Sequence, residues 1–237
     1  MKIFITGDTH GTIDLNKIFF KHWPQSRELT RGDILIILGD FGIIWENQPN
    51  RAEDFYLTRF NQLPFTLAFF NGNHDNIPRL NQFKEVDFYG GRANHITDNV
   101  YRLRNGEIFD FDGTKVFVMG GGLSIDKEIR TPGITWWPEE IPNYAEVHNG
   151  LSNLNKHGNK VDFVLTHAIH QDGFDEMCRK IDYFGPGKEK DPLLKILQEF
   201  KDITDFKHWF CGHYHLDQTF DDNDFTIVYN RILELLA

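Results

Sequence analysis

With 237 residues, 40% of them hydrophobic and 25% charged, the chain is long enough to bury a sizeable core, and its 22 Phe point to aromatic-rich packing rather than disorder. A formal charge of −10 argues against a protein that grips nucleic acid phosphates non-specifically, since that affinity comes from Lys and Arg releasing counterions. Cys178 and Cys211 are the only cysteines and stand far apart, so neither a disulfide framework nor a thiolate metal site is indicated.

Residues 2–6 read as a strand that ends in Gly7-Asp8-Thr9-His10-Gly11. Beyond this turn Ile13, Lys17, Ile18, Phe19 and Trp23 fall near helical spacing, and Pro24 closes the element. The unit recurs. The apolar run 34–38 ends in Gly39-Asp40-Phe41-Gly42, a helix is predicted from about Arg51 to Leu63, and the run 67–70 ends in Asn71-Gly72-Asn73-His74-Asp75. Three such units in succession, each strand apolar throughout, predict a sheet covered on both faces. Between Val86 and Met119 the texture changes to short alternating segments at 100–103, 107–110 and 115–119, with Asp112-Gly113 as a hairpin turn, which predicts an antiparallel edge or a second sheet.

Gly120-Gly121-Gly122 opens a polar, aromatic stretch through Asp126, Lys127, Arg130, Trp136 and Trp137 that is too long for a simple connection, and long loops are commonly functional. A helix is predicted over about 143–156 and a strand over 161–166, ending at His167. Residues 168–190, with little periodicity and with Gly185-Pro186-Gly187, read as a surface loop with at most one helical turn. Asp191-Pro192 suits the start of a helix running to about Phe200. A strand over 207–211 then leads to Gly212-His213-Tyr214-His215, and a closing hairpin follows with its turn at 221–224. No linker or repeat divides the chain, so residues 1–237 read as one domain. The apolar start is too short for a signal peptide and no run approaches a membrane span, which predicts a cytoplasmic protein without a membrane partner.

Five apolar strands therefore end in side chains able to bind metal: Asp8 with His10, Asp40, Asn73, His167, and His213 with His215. In an open α/β sheet, ligands gather beyond the carboxyl ends of the strands, which places these seven on one rim. Nitrogen and oxygen donors without sulfur suit Mn, Fe, Ni, Co or Zn. Seven ligands exceed the need of one ion and imply two, roughly 3.5–4 Å apart if they share a carboxylate. Two divalent ions would leave the site cationic against Asp8, Asp40 and a bridging hydroxide, which fits a small phosphate-bearing substrate.

Asp8-x-His10, Gly39-Asp40, Gly72-Asn73-His74-Asp75, Thr166-His167 and Gly212-His213-Tyr214-His215 resemble the ordered motif set of the calcineurin-like metallophosphoesterases. The stretch 120–140 also resembles a bacterial and prophage branch of that superfamily. The resemblance implies an α/β fold, a four-layer αββα sandwich of two mixed sheets flanked by helices. It implies one ion, manganese foremost, on Asp8, His10, Asp40 and His215 and a second on Asp40, Asn73, His167 and His213. Hydrolysis of a phosphomonoester or phosphodiester would proceed by attack of the bridging hydroxide, with His74 stabilising the transition state or protonating the leaving oxygen.

One departure is plain. The protein Ser/Thr phosphatase branch carries an Asp-Arg pair shortly after the bridging aspartate, where this chain reads Phe41-Gly42-Ile43-Ile44-Trp45-Glu46. The alternatives are a binding scaffold on the same fold that has abandoned catalysis, and a nuclease, which the acidity disfavours. Arg130 and Trp136 are candidate substrate contacts, weighed against a salt bridge and ordinary packing. Asp75 reads as a helix-start or hydrogen-bonding residue, and His170 as a loop histidine rather than an eighth ligand.

Overall fold

In the computed structural model, which describes residues 1–181 and 191–236, the uninterrupted apolar runs are strands covered on both faces. β1 (Ile3–Thr6), β2 (Ile34–Ile37) and β3 (Thr66–Phe69) lie side by side in parallel. Helix α1 (Arg51–Asn61) crosses between β2 and β3, its Asn50 side chain accepting from the amides of Ala52 and Glu53, and the single turn α2 (Ile77–Leu80) follows. β4 (Glu85–Phe88), β5 (Gly91–Thr97) and β6 (Val100–Leu103) form an antiparallel meander whose last strand joins β3 in parallel. β7 (Glu107–Phe111) and β8 (Thr114–Met119) are the predicted hairpin, with Asp112 and Gly113 both at positive φ as a two-residue turn of this kind requires.

Next come α3 (Tyr144–Lys156), entered through a capping box of Asn143 and Glu146, and β9 (Phe163–Thr166). α4 (Gln171–Ile181), α5 (Pro192–Ile203) and β10 (His208–Cys211) follow, and β11 (Gln218–Phe220), β12 (Phe225–Ile227) and β13 (Ile232–Glu234) close the chain. The strands make two mixed sheets, one of seven in the order β13-β1-β2-β3-β6-β5-β4 and one of six in the order β11-β12-β10-β9-β8-β7.

Alternation along each strand sorts the apolar side chains into three buried spaces. Ile3, Ile5, Ile34 and Ile36 point inward and meet Phe109, Val116, Val118 and Leu165 of the other sheet. Phe4, Leu35, Ile37 and Phe69 point outward and are covered by Leu15, Ile18, Trp23 and Phe60. Phe117, Met119, Val164 and Trp209 face outward from the second sheet under Leu154, Phe174, Leu197 and Phe200 of α3, α4 and α5. Three filled spaces between four layers make an αββα sandwich, as the resemblance implies. No helix among the described residues is long and apolar enough to cross a membrane.

Some elements differ from expectation. The segment after β1 holds two 3-10 turns, at Leu15–Ile18 and Pro24–Glu28, in place of an α-helix. Leu15 and Ile18 are its buried pair, three residues apart, while Ile13 stays in water, and a spacing of three is what a 3-10 turn satisfies. The expected loop after His167 contains α4, which His170 caps: its Nδ1 accepts from the Gly173 amide at 3.1 Å. Histidine is an unusual cap, yet Phe174, Met177 and Cys178 fall at helical spacing and pack into the core, so the segment does carry a helical stripe, interrupted by the buried Glu176 that bonds Lys180 and Asn223. Gly185-Pro186-Gly187 lie outside the described residues.

Candidate metal centre

The parallel strands β1, β2 and β3 deliver Asp8, Asp40 and Asn73 from one sheet, and β9 and β10 deliver His167, His213 and His215 from the other. With His10, two residues after Asp8, all seven predicted ligands come together. Asp40 Oδ2 lies 3.4 Å from Nε2 of His10 and 3.4 Å from Nε2 of His167. Asp8 Oδ2 is 3.1 Å from His215 Nε2 and 3.9 Å from His10 Nε2. His167 Nε2 also faces Asn73 Oδ1 at 3.1 Å and His213 Nδ1 at 3.2 Å. Two overlapping groups have donor atoms close enough for an ion: Asp8, His10 and His215, and Asp8, Asp40 and His167. Asp8 enters both groups, whereas the expected division gave it to one ion.

Neighbouring groups decide which atom of each ligand faces inward. The His167 Nδ1–H donates to the Leu38 carbonyl at 2.7 Å, which leaves Nε2 as the donor toward a metal. His10 Nδ1 is held by Asp14 at 2.9 Å, and His215 stacks on Tyr229 at 4.6 Å. Asn73 Nδ2 donates to Ser124 Oγ at 3.1 Å, so its amide oxygen is turned toward the cluster. The His213 amide donates to the Asp8 carboxylate, and the His74 amide donates to Asp40 Oδ1 at 2.7 Å.

Close packing requires glycine at the ligands' doorsteps. A Cβ on Gly72 would stand 2.1 Å from Asp40 Oδ1, one on Gly212 2.3 Å from Asp8 Oδ1, and one on Gly39 2.3 Å from His167 Nδ1. Each of these glycines precedes a ligand, a pattern the sequence carried in plain view. Strain is present too: His10, Asp40, His213 and His215 all adopt positive φ, between 45° and 66°. That conformation costs a non-glycine residue roughly 1 kcal/mol or more.

Asp8 and Asp40 are wholly buried, and such charges demand compensation. Burial alone would push the Asp40 carboxyl up, but His167 and the hydrogen bonds from His10 and His167 hold it well below the carboxylate range. Burial works against protonation of His10 and His167 as well, yet the carboxylates prevail and raise both to about 9. Without ions, protons on these rings therefore balance the carboxylates. Divalent cations entering the cluster displace them, which is the behaviour expected of a nitrogen and oxygen metal site and fits this donor set.

His74 is absent from both metal groups and stands beside them. Burial pushes its pKa below the ordinary histidine value, with Asp40 opposing this and Arg130 adding to it. The charges flanking it are Arg130 and Asp126, paired at 2.7 Å; Arg130 borders one cavity with His74 and Asp126 borders another. No Asp-Arg pair follows Asp40, and this charged pair comes instead from the long loop. Trp45, 6.4 Å from the His74 ring, is the aromatic neighbour. Trp136 lines a cleft with Lys127 and Pro138 that adjoins the metal-side cavity through Leu123, Ser124 and Ile125, which border both, while Trp137 is buried edge-on to Trp45.

Asp75 has the hydrogen-bonding role: its carboxyl accepts from the amides of Gly42 at 2.8 Å, Gly72 at 2.9 Å and Phe41 at 3.3 Å, tying the Asp40 and Asn73 loops together. Burial and the Asp40 charge raise its pKa to about 7. Arg102 was missed. Its buried guanidinium donates to Asn81, Asn94 and Asn71, and Asn71 opens the loop that carries Asn73. The signal was an arginine in the otherwise apolar run 100–103.

The family profile for the calcineurin-like phosphoesterases matches residues 1–217. That match carries no assignment to a branch. Comparison with curated proteins found no match.

Proposed function

The chain belongs to the calcineurin-like phosphoesterase family, and from that premise we propose that it is a dimetal hydrolase of a small phosphomonoester or phosphodiester. The observation that carries this reading is Asp40 Oδ2, equidistant from the inward nitrogens of His10 and His167, which is where a carboxylate shared by two ions belongs. Two divalent ions at such a site lower the pKa of bound water and neutralise charge on the phosphoryl oxygens.

The chain's own residues do the rest. Asp8, His10, Asp40, Asn73, His167, His213 and His215 would hold the ions, with manganese tried first because the family resemblance implies it, the donor set itself suiting Fe, Ni, Co or Zn as well. His74, kept off the ions by its neighbours, directs a ring N–H at the departing oxygen as the bond to phosphorus breaks. Arg130 stands close enough to His74 to steady a phosphoryl oxygen from the far side. A complete ligand set favours an enzyme over a scaffold, and the net charge of −10 disfavours a nuclease.

The test is turnover of p-nitrophenyl phosphate and bis(p-nitrophenyl) phosphate by protein loaded with Mn, Fe, Ni, Co or Zn. Metal-dependent release of p-nitrophenol from one ester supports the reading and tells mono- from diesterase. Metal bound at two ions per chain with no turnover of either ester counts against it.

A further inference from the structure

His74 stands on the wall between two cavities. The smaller, about 240 Å³, is bordered by Asp40, Asn73, Asp126, His213 and His215. The larger, about 500 Å³, is bordered by Ile13, Ile43, Trp45, Tyr56 and Arg130. His74 is the residue common to both. Resting on the phosphoesterase reading, we infer that the larger cavity receives the leaving group, and that it is shaped for an uncharged aromatic alcohol.

The placement follows from in-line displacement. The phosphoryl group must lie over the metal ligands, of which Asp40, Asn73, His213 and His215 border the smaller cavity and His10 the larger, so it sits mainly in the smaller. The departing oxygen leaves on the side away from the attacking one, where His74 meets it. What hangs from that oxygen must then occupy the space on the far side of His74, which is the larger cavity.

The chemistry follows from the walls. Trp45 is held as a rigid face: its ring meets Trp137 edge-on at 4.8 Å, and its carbonyl accepts from Asn76 at 2.9 Å. Tyr56, Ile43 and Ile13 supply further apolar surface, and Ile13 keeps 77% of its surface in water at the mouth. The charges are mostly spoken for. Glu53 is gripped by Arg79 through two contacts of 2.6 Å, and Arg130 by Asp126. Glu46 brings another carboxylate to the lining. With Arg130 already paired to Asp126 and His10 to Asp14 and Asp40, a leaving group bearing its own negative charge would meet Glu46 without an uncommitted cation to offset it, whereas a flat neutral ring would exchange water for Trp45 and Ile43.

The experiment compares phenyl phosphate, 2-naphthyl phosphate and 6-sulfo-2-naphthyl phosphate, with the methyl diesters of each, on manganese-loaded protein. The two plain alcohols are of similar acidity, so their ratio reads the cavity. Expected is a kcat/KM about tenfold or more in favour of naphthyl over phenyl, lost on sulfonation. Trp45→Ala and Ile13→Ser should both bring the ratio toward unity; Ile13 is exposed, so its variant does not threaten the fold. A wild-type ratio near one, a ratio unchanged in both variants, or a preference for the sulfonated ester overturns the assignment. Titration of 2-naphthol, followed by tryptophan fluorescence, separates this failure from that of the hydrolase reading. Saturable binding weakened in Ile13→Ser with no ester turned over refutes hydrolysis alone; turnover without naphthol binding refutes the cavity alone.

Discussion

Replacing Gly72 by alanine puts a methyl carbon where none fits. The new Cβ would stand 2.1 Å from Asp40 Oδ1, 2.6 Å from the Asp40 amide nitrogen and 2.7 Å from His167 Nε2. The first gap is short of ordinary contact by about 1.3 Å. None of the three atoms is the tip of a flexible surface side chain, so the Asn73 loop or Asp40 itself must shift by about 1 Å, and a displacement of that size at a reacting centre costs on the order of a hundredfold in rate. The shift also opens the 2.7 Å bond from the His74 amide to Asp40 Oδ1. Overpacking adds about 1–3 kcal/mol of destabilisation. At this chain length that lowers Tm by roughly 2–4 °C per kcal/mol. The assay combines kcat on p-nitrophenyl phosphate or its bis ester at saturating manganese, metal content by mass spectrometry, and a thermal melt. Gly32→Ala, whose Cβ meets only Thr30 Oγ1 at 3.6 Å, is the tolerant control. A Gly72→Ala protein with two ions bound and kcat within about threefold of wild type would refute the claim that ligand geometry limits the rate.

His74→Asn should lower kcat by roughly 10²–10⁴ while metal content stays at its wild-type value; loss of the metal as well would make His74 a ligand. Asp14→Asn, which weakens the group that holds His10 Nδ1, should reduce divalent affinity about 10–100-fold in a titration against a chelator, and unchanged affinity would remove Asp14 from the metal's support. His170 is buried, and its pKa is driven down to about 3, chiefly by desolvation. The unfolded chain takes up a proton below about pH 6.5 that the native state refuses, so this group's share of stability is full above that pH and falls away toward pH 3. Denaturant melts of His170→Gln against wild type should therefore show a stability slope shallower by about 1 kcal/mol per pH unit across that range. Parallel slopes would mean that His170 is protonated in the native state.

The strand ends were legible because each carries a polar, ligand-capable residue straight after an apolar run, and such runs have few other readings. Asp8, His10, Asp40, Asn73, His167, His213 and His215 all emerge at one cluster for that reason. The hairpin at Asp112-Gly113 was legible through its turn chemistry. Other features depend on partners distant in sequence. β13 is three residues long and gains its identity by pairing with β1, far away in the chain. β4 alternates, with Glu85 and Asp87 out and Val86 and Phe88 turned in, but is only four residues long, and β5 buries the polar Asn94, which breaks its apolar pattern. The surroundings of His74 were hidden for the same reason: Asp126 and Arg130 reach it from the long loop, and no local motif announces that approach. Trp136, picked for its place in that loop, lines a cleft that adjoins the cavity over the ligands, while Trp45, passed over as part of a missing motif, lines the other cavity beside His74.

The ligands come from loops of both sheets, and the sheets otherwise meet through side chains such as Ile5, Phe109 and Leu165. Apolar contact resists separation, yet it is non-directional and only weakly opposes sliding. Coordination bonds are short and directional. Ions seated across the seam would act as rivets beside the few directional links already there, such as the Gly121 amide to the Asn71 carbonyl and Arg92 to Glu107, stiffening the two layers against shear. Their occupancy would then be felt well beyond the loops, with amide exchange slowing together in β1, β2 and β3 of one sheet and in β9 and β10 of the other, although no strand gains a hydrogen bond.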